Sequence, residues 1–201
     1  MQKGLALFDF DGTITSHDTL WQFLKFGNPP SKYYLGILLH LPFFVIFTLL
    51  RKRGVAKEML LSFYFKGISK DDLLLKGRQF CATELPKYLF MDAMEKIAWH
   101  QKEQHRIIIV SASLDIWIKP WAESLGLELI CTEYEFVNNK ATGRFATKNC
   151  NDHEKVRRIL SVTNPDDYDT VYAYGNSKGD LPMLALANQK HYLAFNKIPK
   201  I

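Results

Sequence analysis

The sequence predicts an α/β protein built on a mostly parallel, doubly wound sheet, and two observations carry that prediction. Short apolar runs recur along the chain: "LALFDF" from Leu5, "RIIIVS" from Arg106, "LELICT" from Leu127, "TVYAYG" from Thr170 and "HYLAF" from His191. The first four are near-continuous rather than alternating, as strands covered by helices on both faces must be. Helical segments lie between them. Beyond residue 100 the order is strand, helix, strand, an extended stretch, then helix, strand, helix, strand, which is the pattern of a doubly wound fold.

Taken in order, the first strand runs out into Asp9, Phe10, Asp11 and Gly12. The helix "SLDIWIKPWAESLG" follows the second strand; Pro120 is expected to break or restart it, and Gly126 to stop it. "NDHEKVRRILSV" opens on Asn151 or Asp152 as N-cap. "DLPMLALAN" is the helix before the last strand.

With 201 residues the chain forms one domain, or one domain with a substantial insertion, and can bury a real core. Cys81, Cys131 and Cys150 are odd in number and form no C-x-x-C pair, which points to a reducing compartment and to cysteines that pack as small hydrophobes. The N-terminal apolar stretch is interrupted by Asp9 and Asp11, unlike a signal peptide, so the expected location is cytoplasmic. The net charge of +5 favours an anionic partner. Nucleic acid is not that partner, because no basic stripe interleaves with the aromatic residues.

In sheets of this kind ligands bind beyond the carboxyl ends of the strands. There the sequence places Asp9 and Asp11, then Ser111, then Gly175, Asn176 and Asp180. Lys155 falls in the first turn of a helix, where the dipole disfavours a cation by about 0.3–1 kcal/mol; it is explained if it faces an anion. Each residue alone is ordinary, since Asp is common in turns and Lys on surfaces. Together they suit phosphoryl transfer through an enzyme intermediate, which needs a nucleophile, an acid and base, a cation and donors for the equatorial oxygens. Asp9 and Asp11 would meet the first two needs. Ser111, with the backbone N–H groups of Ala112 and Ser113 opening a helix, would hold phosphate oxygens, and Lys155 would neutralise them. Asp9, Asn176 and Asp180 offer the oxygen ligands that suit Mg²⁺.

"DFDGT" at 9–13, "SAS" at 111–113, Lys155 and "GNSKGD" at 175–180 resemble, in order, the four motifs of the haloacid dehalogenase superfamily. The layout is similar to the branch that holds phosphoserine phosphatases and bacterial phosphatidylglycerophosphate phosphatases, and "NNKATGRF" resembles the hairpin before the lysine in the former. The resemblance implies a Rossmann-like core from residues 1–16 and 100–201, with a helical cap at 17–99. It implies that Asp9 becomes an aspartyl phosphate and that Asp11 protonates the leaving oxygen and then activates water. Ser111, Ala112 and Lys155 would bind the phosphoryl group. Mg²⁺ would be held by Asp9, the carbonyl of Asp11, Asn176 and Asp180. Asn176 departs from the Asp that often opens the fourth motif, so one charge is missing from the metal site. Asp18 either meets a substrate amine, as an acid does at a similar place in phosphoserine phosphatases, or caps the helix "TLWQFLKF".

"YYLGILLHLPFFVIFTLL", residues 33–50, has no charge and is followed by Arg51, Lys52 and Arg53. A single membrane crossing there would separate Asp9 from Ser111, Lys155 and Asp180, and no second segment has spanning length. Pro42 and His40 argue against one straight helix. Three arrangements remain: a pair of short helices packed in the cap, a homodimer contact, or a hairpin on the inner face of the membrane with Lys32 and Arg51 to Arg53 at the headgroups. The expected substrate is a phosphomonoester with an apolar or lipid-linked leaving group. Its alternatives are a small soluble phosphorylated metabolite of the phosphoserine type, or phosphate or lipid-headgroup binding without turnover.

Overall fold

The structure, a computed structural model, describes residues 4–49 and 53–196. Arg51 and Lys52, two of the expected headgroup cations, lie outside the described residues. β1 (Leu5–Phe8) is followed by five helices: α1 (Thr19–Gly27), α2 (Pro30–Leu49), α3 (Arg53–Phe65), α4 (Lys70–Thr83) and α5 (Met91–Lys102). Then come β2 (Arg106–Leu114), α6 (Asp115–Ser124), β3 (Glu128–Thr132), the pair β4 (Tyr134–Val137) and β5 (Lys140–Phe145), and α7 (His153–Val162). β6 (Val171–Gly175), α8 (Leu181–Ala185) and β7 (Gln189–Tyr192) complete the chain.

Five strands pair in parallel in the order β3-β2-β1-β6-β7. The order reverses beside β1, which is the switch point where doubly wound sheets bind ligands. Successive side chains of a strand point to opposite faces. Leu5 and Leu7 therefore join Ile108, Val110, Ala173, Ile159 and Met183 on one face, while Ala6 and Phe8 join Ile107, Ile109, Tyr174 and Trp117 on the other.

Four local expectations are corrected. The last strand is Gln189–Tyr192, not the apolar run from His191; it lies at the sheet edge, where ladder bonds rather than burial define a strand. The second strand continues to Leu114, so residues 111–113 are still extended and helix α6 opens only at Asp115. That helix passes through Pro120 unbroken. Proline has no N–H to give to the Ile116 carbonyl four residues back, and this carbonyl lies against Gly77 of α4, where a Cβ would come within 2.0 Å of it. Finally, the apolar run forms one helix, α2, through Pro42, and not two short ones. Pro42 leaves the carbonyl of Leu38 without its helical donor, on a residue that is 72% exposed. No helix among the described residues is long and apolar enough to cross a membrane.

The helices that follow β1 are tied to the sheet at two places. The outgoing and returning chains pair with each other, Ser16 N–H donating to Tyr88 O (2.7 Å) and Phe90 N–H to Ile14 O (2.8 Å). The antiparallel β4–β5 hairpin turns on Asn138 and Asn139, both at positive φ, a conformation that asparagine tolerates and the tight hairpin turn needs. It braces the helices: Ala141 pairs with Ile68 and Gly67, and Phe145 N–H donates to Glu58 of α3 (2.8 Å).

α5 covers the sheet face that carries Phe8, and brings a buried polar residue there, His100. Its Nδ1 meets His105 Nδ1 (2.8 Å) and its Nε2 meets the Tyr174 hydroxyl (2.9 Å). Burial, helped by the neighbouring His105 and Lys96, pulls the imidazole down to about 3. The fold therefore holds His100 neutral, while the unfolded chain takes up a proton below about 6.5. Stability is fully present above that pH and is lost as pH falls towards 3. On the order of 2 kcal/mol should disappear by about pH 5, seen as a falling urea midpoint; His100→Phe should flatten that decline, and an equally steep fall in the variant would clear His100.

Candidate active site

Asp9 follows the last residue of β1, so its side chain leaves the sheet at the carboxyl end of the central strand and is only 6% exposed. Lys155, in the first turn of α7 and 1% exposed, meets it there. The Lys155 Nζ donates to Asp9 Oδ1 (2.6 Å), Asp180 Oδ1 (2.7 Å) and the Val110 carbonyl (2.8 Å). Burial would lower this ammonium's pKa, but the two carboxylates outweigh it and hold it above its usual value. Burial likewise pushes Asp9 up to about 6, against the pull of Lys155 and with Asp180 adding to the rise. Asp180 moves the other way: despite its burial, Lys155 and Ser177 hold its carboxyl below the ordinary range.

Asp11 stands two residues on, after which Gly12 turns the chain at φ +76°. That turn also brings the Asn176 side chain so close that a Cβ on Gly12 would lie 1.9 Å from its amide nitrogen. The Oδ1 of Asp11 accepts from the Thr19 N–H (2.7 Å) and hydroxyl (2.6 Å), and its Oδ2 accepts from the Ser113 hydroxyl. Thr19 is in turn fixed by the Trp117 indole N–H (2.9 Å). Burial and the charge of Asp18 raise the Asp11 carboxyl above its usual value, while the Ser113 and Thr19 bonds oppose the rise. A carboxylate paired with a cation, beside a carboxyl held by neutral hydroxyl and N–H donors, is the division of partners that suits a nucleophile and a general acid.

A cavity of about 300 Å³ opens here, lined by Asp9, Asp11, Gly12, Asp18, Ala112, Lys155, Asn176 and Asp180, with Ser16, His17, Asn151 and Ser177. The structure thus gathers at this cavity all but one of the residues whose side chains the sequence points to as catalytic, phosphate-binding or metal-binding. Ser111 is the exception: it is 1% exposed, does not line the cavity, and its Oγ accepts from the Ser113 N–H (3.0 Å). Asp18 caps α1, accepting from the Leu20 N–H (3.0 Å), and still borders the cavity. Both oxygens of Asp180 are engaged, one by Lys155 and the other by the N–H groups of Asn176 and Ser177 and the Ser177 hydroxyl. It shapes the loop that carries Asn176.

Sequence reasoning missed Thr13, which donates to Asp9 Oδ2 (3.0 Å), and Thr19, whose role depends on the fold. It also missed Lys57 of α3, which lines the cavity from the helical side; nothing in its local sequence marks it. Among the described residues no three His, Cys, Asp or Glu side chains converge to hold a metal ion. A cation would therefore rest on few protein oxygens, such as Asp9 and Asn176, completed by water and phosphate, which is how Mg²⁺ is usually held.

A doubly wound α/β fold with an aspartate and a buried lysine meeting at its switch point defines a class of hydrolases. The chain belongs to the haloacid dehalogenase-like hydrolase family, whose model matches residues 6–185. It is 31% identical to Protein CicA of Caulobacter vibrioides over 97% of this chain and 88% of that one. Among solved structures it is similar to a protein of unknown function from Bordetella pertussis Tohama I, with a TM-score of 0.81, 21% identity, and coverage of 94% of this chain and 89% of that one. It is also similar to a phosphoserine phosphatase solved as a phospho-aspartyl intermediate analogue, with a TM-score of 0.64, 17% identity, and coverage of 94% and 86%. These two likenesses establish the fold.

The ammonium between Asp9 and Asp180 leads to a direct expectation. Lys155→Met would leave two buried carboxylates without their cation, and should cost about 3–5 kcal/mol in urea unfolding without divalent cations. A variant as stable as the parent would remove Lys155 from the centre of the site.

Proposed function

We propose that the protein is a Mg²⁺-dependent phosphomonoesterase that works through an aspartyl phosphate on Asp9. The observation that carries this is the meeting of two buried carboxylates with different partners: Asp9 on the Lys155 ammonium at 2.6 Å, and Asp11 held by the hydroxyl groups of Thr19 and Ser113. In the first step an oxygen of Asp9 attacks phosphorus, the bond to the leaving oxygen breaks, and Asp11 gives that oxygen its proton. In the second, the Asp11 carboxylate takes a proton from water, whose oxygen attacks phosphorus and frees Asp9 and inorganic phosphate. Lys155 offsets the charge at Asp9, and the backbone of Ala112 lines the space for phosphoryl oxygens. Mg²⁺, when bound by Asp9, the Asp11 carbonyl and Asn176, with Asp180 fixing the loop, would offset charge on the phosphoryl oxygens.

The relative solved as a phospho-aspartyl analogue of a phosphoserine phosphatase supports the same chemistry here. The leaving group lies towards the helices, where Asp18 and Lys57 face the cavity. A binder without turnover would have no use for Asp11 as a proton store. Cys81, Cys131 and Cys150 are all free, which supports a reducing, cytoplasmic setting.

Hydrolysis of an aryl phosphate with Mg²⁺ present tests the proposal. Asp9→Asn should lower the rate on the order of 10³-fold or more, and unchanged hydrolysis would end it. Asn176→Asp should restore one negative charge beside the cation and lower the Mg²⁺ concentration needed for half activity; an unchanged or higher requirement would count against Asn176 as a ligand.

A further inference from the structure

We propose that the exposed face of α2 docks on a bilayer rich in anionic lipid, and so presents the catalytic cavity to phosphomonoesters carried in that bilayer. The second half of this statement rests on the phosphatase reading above. α2 uses one stripe to pack on α3. Tyr33, Gly36, Ile37 and His40 follow the i, i+3, i+4, i+7 spacing of a helix face. The Tyr64 hydroxyl donates to the Tyr33 carbonyl (2.6 Å), the His40 ring lies 5.1 Å from Phe63, and a Cβ on Gly36 would come within 2.1 Å of the Tyr64 oxygen.

The opposite stripe has no such partner among the described residues. Leu38, Leu41, Val45, Ile46 and Leu49 are all more than half exposed, Leu38 by 72% and Leu49 by 78%. From Leu38 to Leu49 this strip runs about 18 Å along the axis of the helix, and a contiguous exposed apolar patch marks an interaction surface.

Charge identifies the occupant. From Thr19 to Lys57 the sequence has no Asp or Glu, and it carries Lys25, Lys32, Arg51, Lys52, Arg53 and Lys57. The sequence on both sides of the strip is therefore basic, with Lys25 and Lys32 before it and Arg51, Lys52 and Arg53 after it. An anionic bilayer offers hydrocarbon to the strip and phosphate to the cations.

The helix that packs on α2 also reaches the site. α3 follows α2 directly in the chain, a Cβ on its Gly54 would lie 3.5 Å from the Asn149 side chain, and Lys57, one turn further on, lines the catalytic cavity. A helix lying in the headgroup plane keeps Lys57 and the catalytic residues together on one side of the bilayer, behind the docked face.

The test is sedimentation of the full chain with phosphatidylcholine vesicles, with and without phosphatidylglycerol, beside aryl phosphate hydrolysis in solution. Binding should be at least about tenfold tighter to the anionic vesicles and should weaken with salt. Leu38→Glu/Ile46→Glu should lower binding by about tenfold or more and leave aryl phosphate hydrolysis unchanged, which also shows that the variant folds. Val45→Ser/Leu49→Ser, a milder change, should give a smaller loss in the same direction. Absence of vesicle binding at low salt, with aryl phosphate still hydrolysed, overturns the docking and leaves the phosphatase reading standing. A solution dimer that the Glu variant dissociates, without vesicle binding, assigns the face to a second copy and overturns it equally. Vesicle binding with no hydrolysis of any phosphate upholds the docking and removes the phosphatase reading instead.

Discussion

The structure turns on one buried ammonium. Lys155 reaches from α7 to three neighbouring strands, touching Asp9 just after β1, the Val110 carbonyl within β2 and Asp180 beyond β6. Charges of this kind are tolerated away from water only when paired and fully hydrogen-bonded. Three donors meeting three acceptors satisfies that condition. The same contacts fix where the strands end relative to one another, so the geometry of the catalytic cavity and the packing of the sheet share one set of bonds. The cost is that Asp9, the group that must carry charge, is held in surroundings that resist it, and a bound cation would relieve that resistance.

The helices after β1 are not a separate appendage. Their entry and exit chains are bonded to each other, the asparagine-turned hairpin braces α3, and α4 lies so close to α6 that only glycine fits at position 77. Phe23 of α1 stacks on Trp117 of α6 with ring centres 4.6 Å apart, which extends the core cluster across the junction. These contacts seat the helices that bring Lys57 and Asp18 to the lining of the cavity.

Much of this was legible in the sequence. Continuous apolar strands and polar residues just past their ends announce a doubly wound sheet with its site at the switch point, and Asp9, Asp11, Lys155, Asn176 and Asp180 all lie where that logic puts them. What escaped depends on contacts between distant segments. Thr19 and Ser113 bond Asp11 from 8 and 102 residues away, and Lys57 enters the cavity from a helix with no local signal. The prolines misled because a local rule was answered by tertiary structure: Gly77 packs against the carbonyl that Pro120 leaves free. Ser111 ends an apolar run, yet the strand continues past it, and its hydroxyl oxygen accepts from the Ser113 N–H.

Thr19 has a consequence of its own. It is the first residue of α1, it is anchored by Trp117, and it gives Asp11 two of its hydrogen bonds. Donors to a carboxylate stabilise its charged form. Burial of Asp11 acts in the opposite sense and is the larger influence, so lifting α1 would remove two donors from the anion and admit water to it at once. The proton inventory of the acid is therefore coupled to the seating of the first helix after β1.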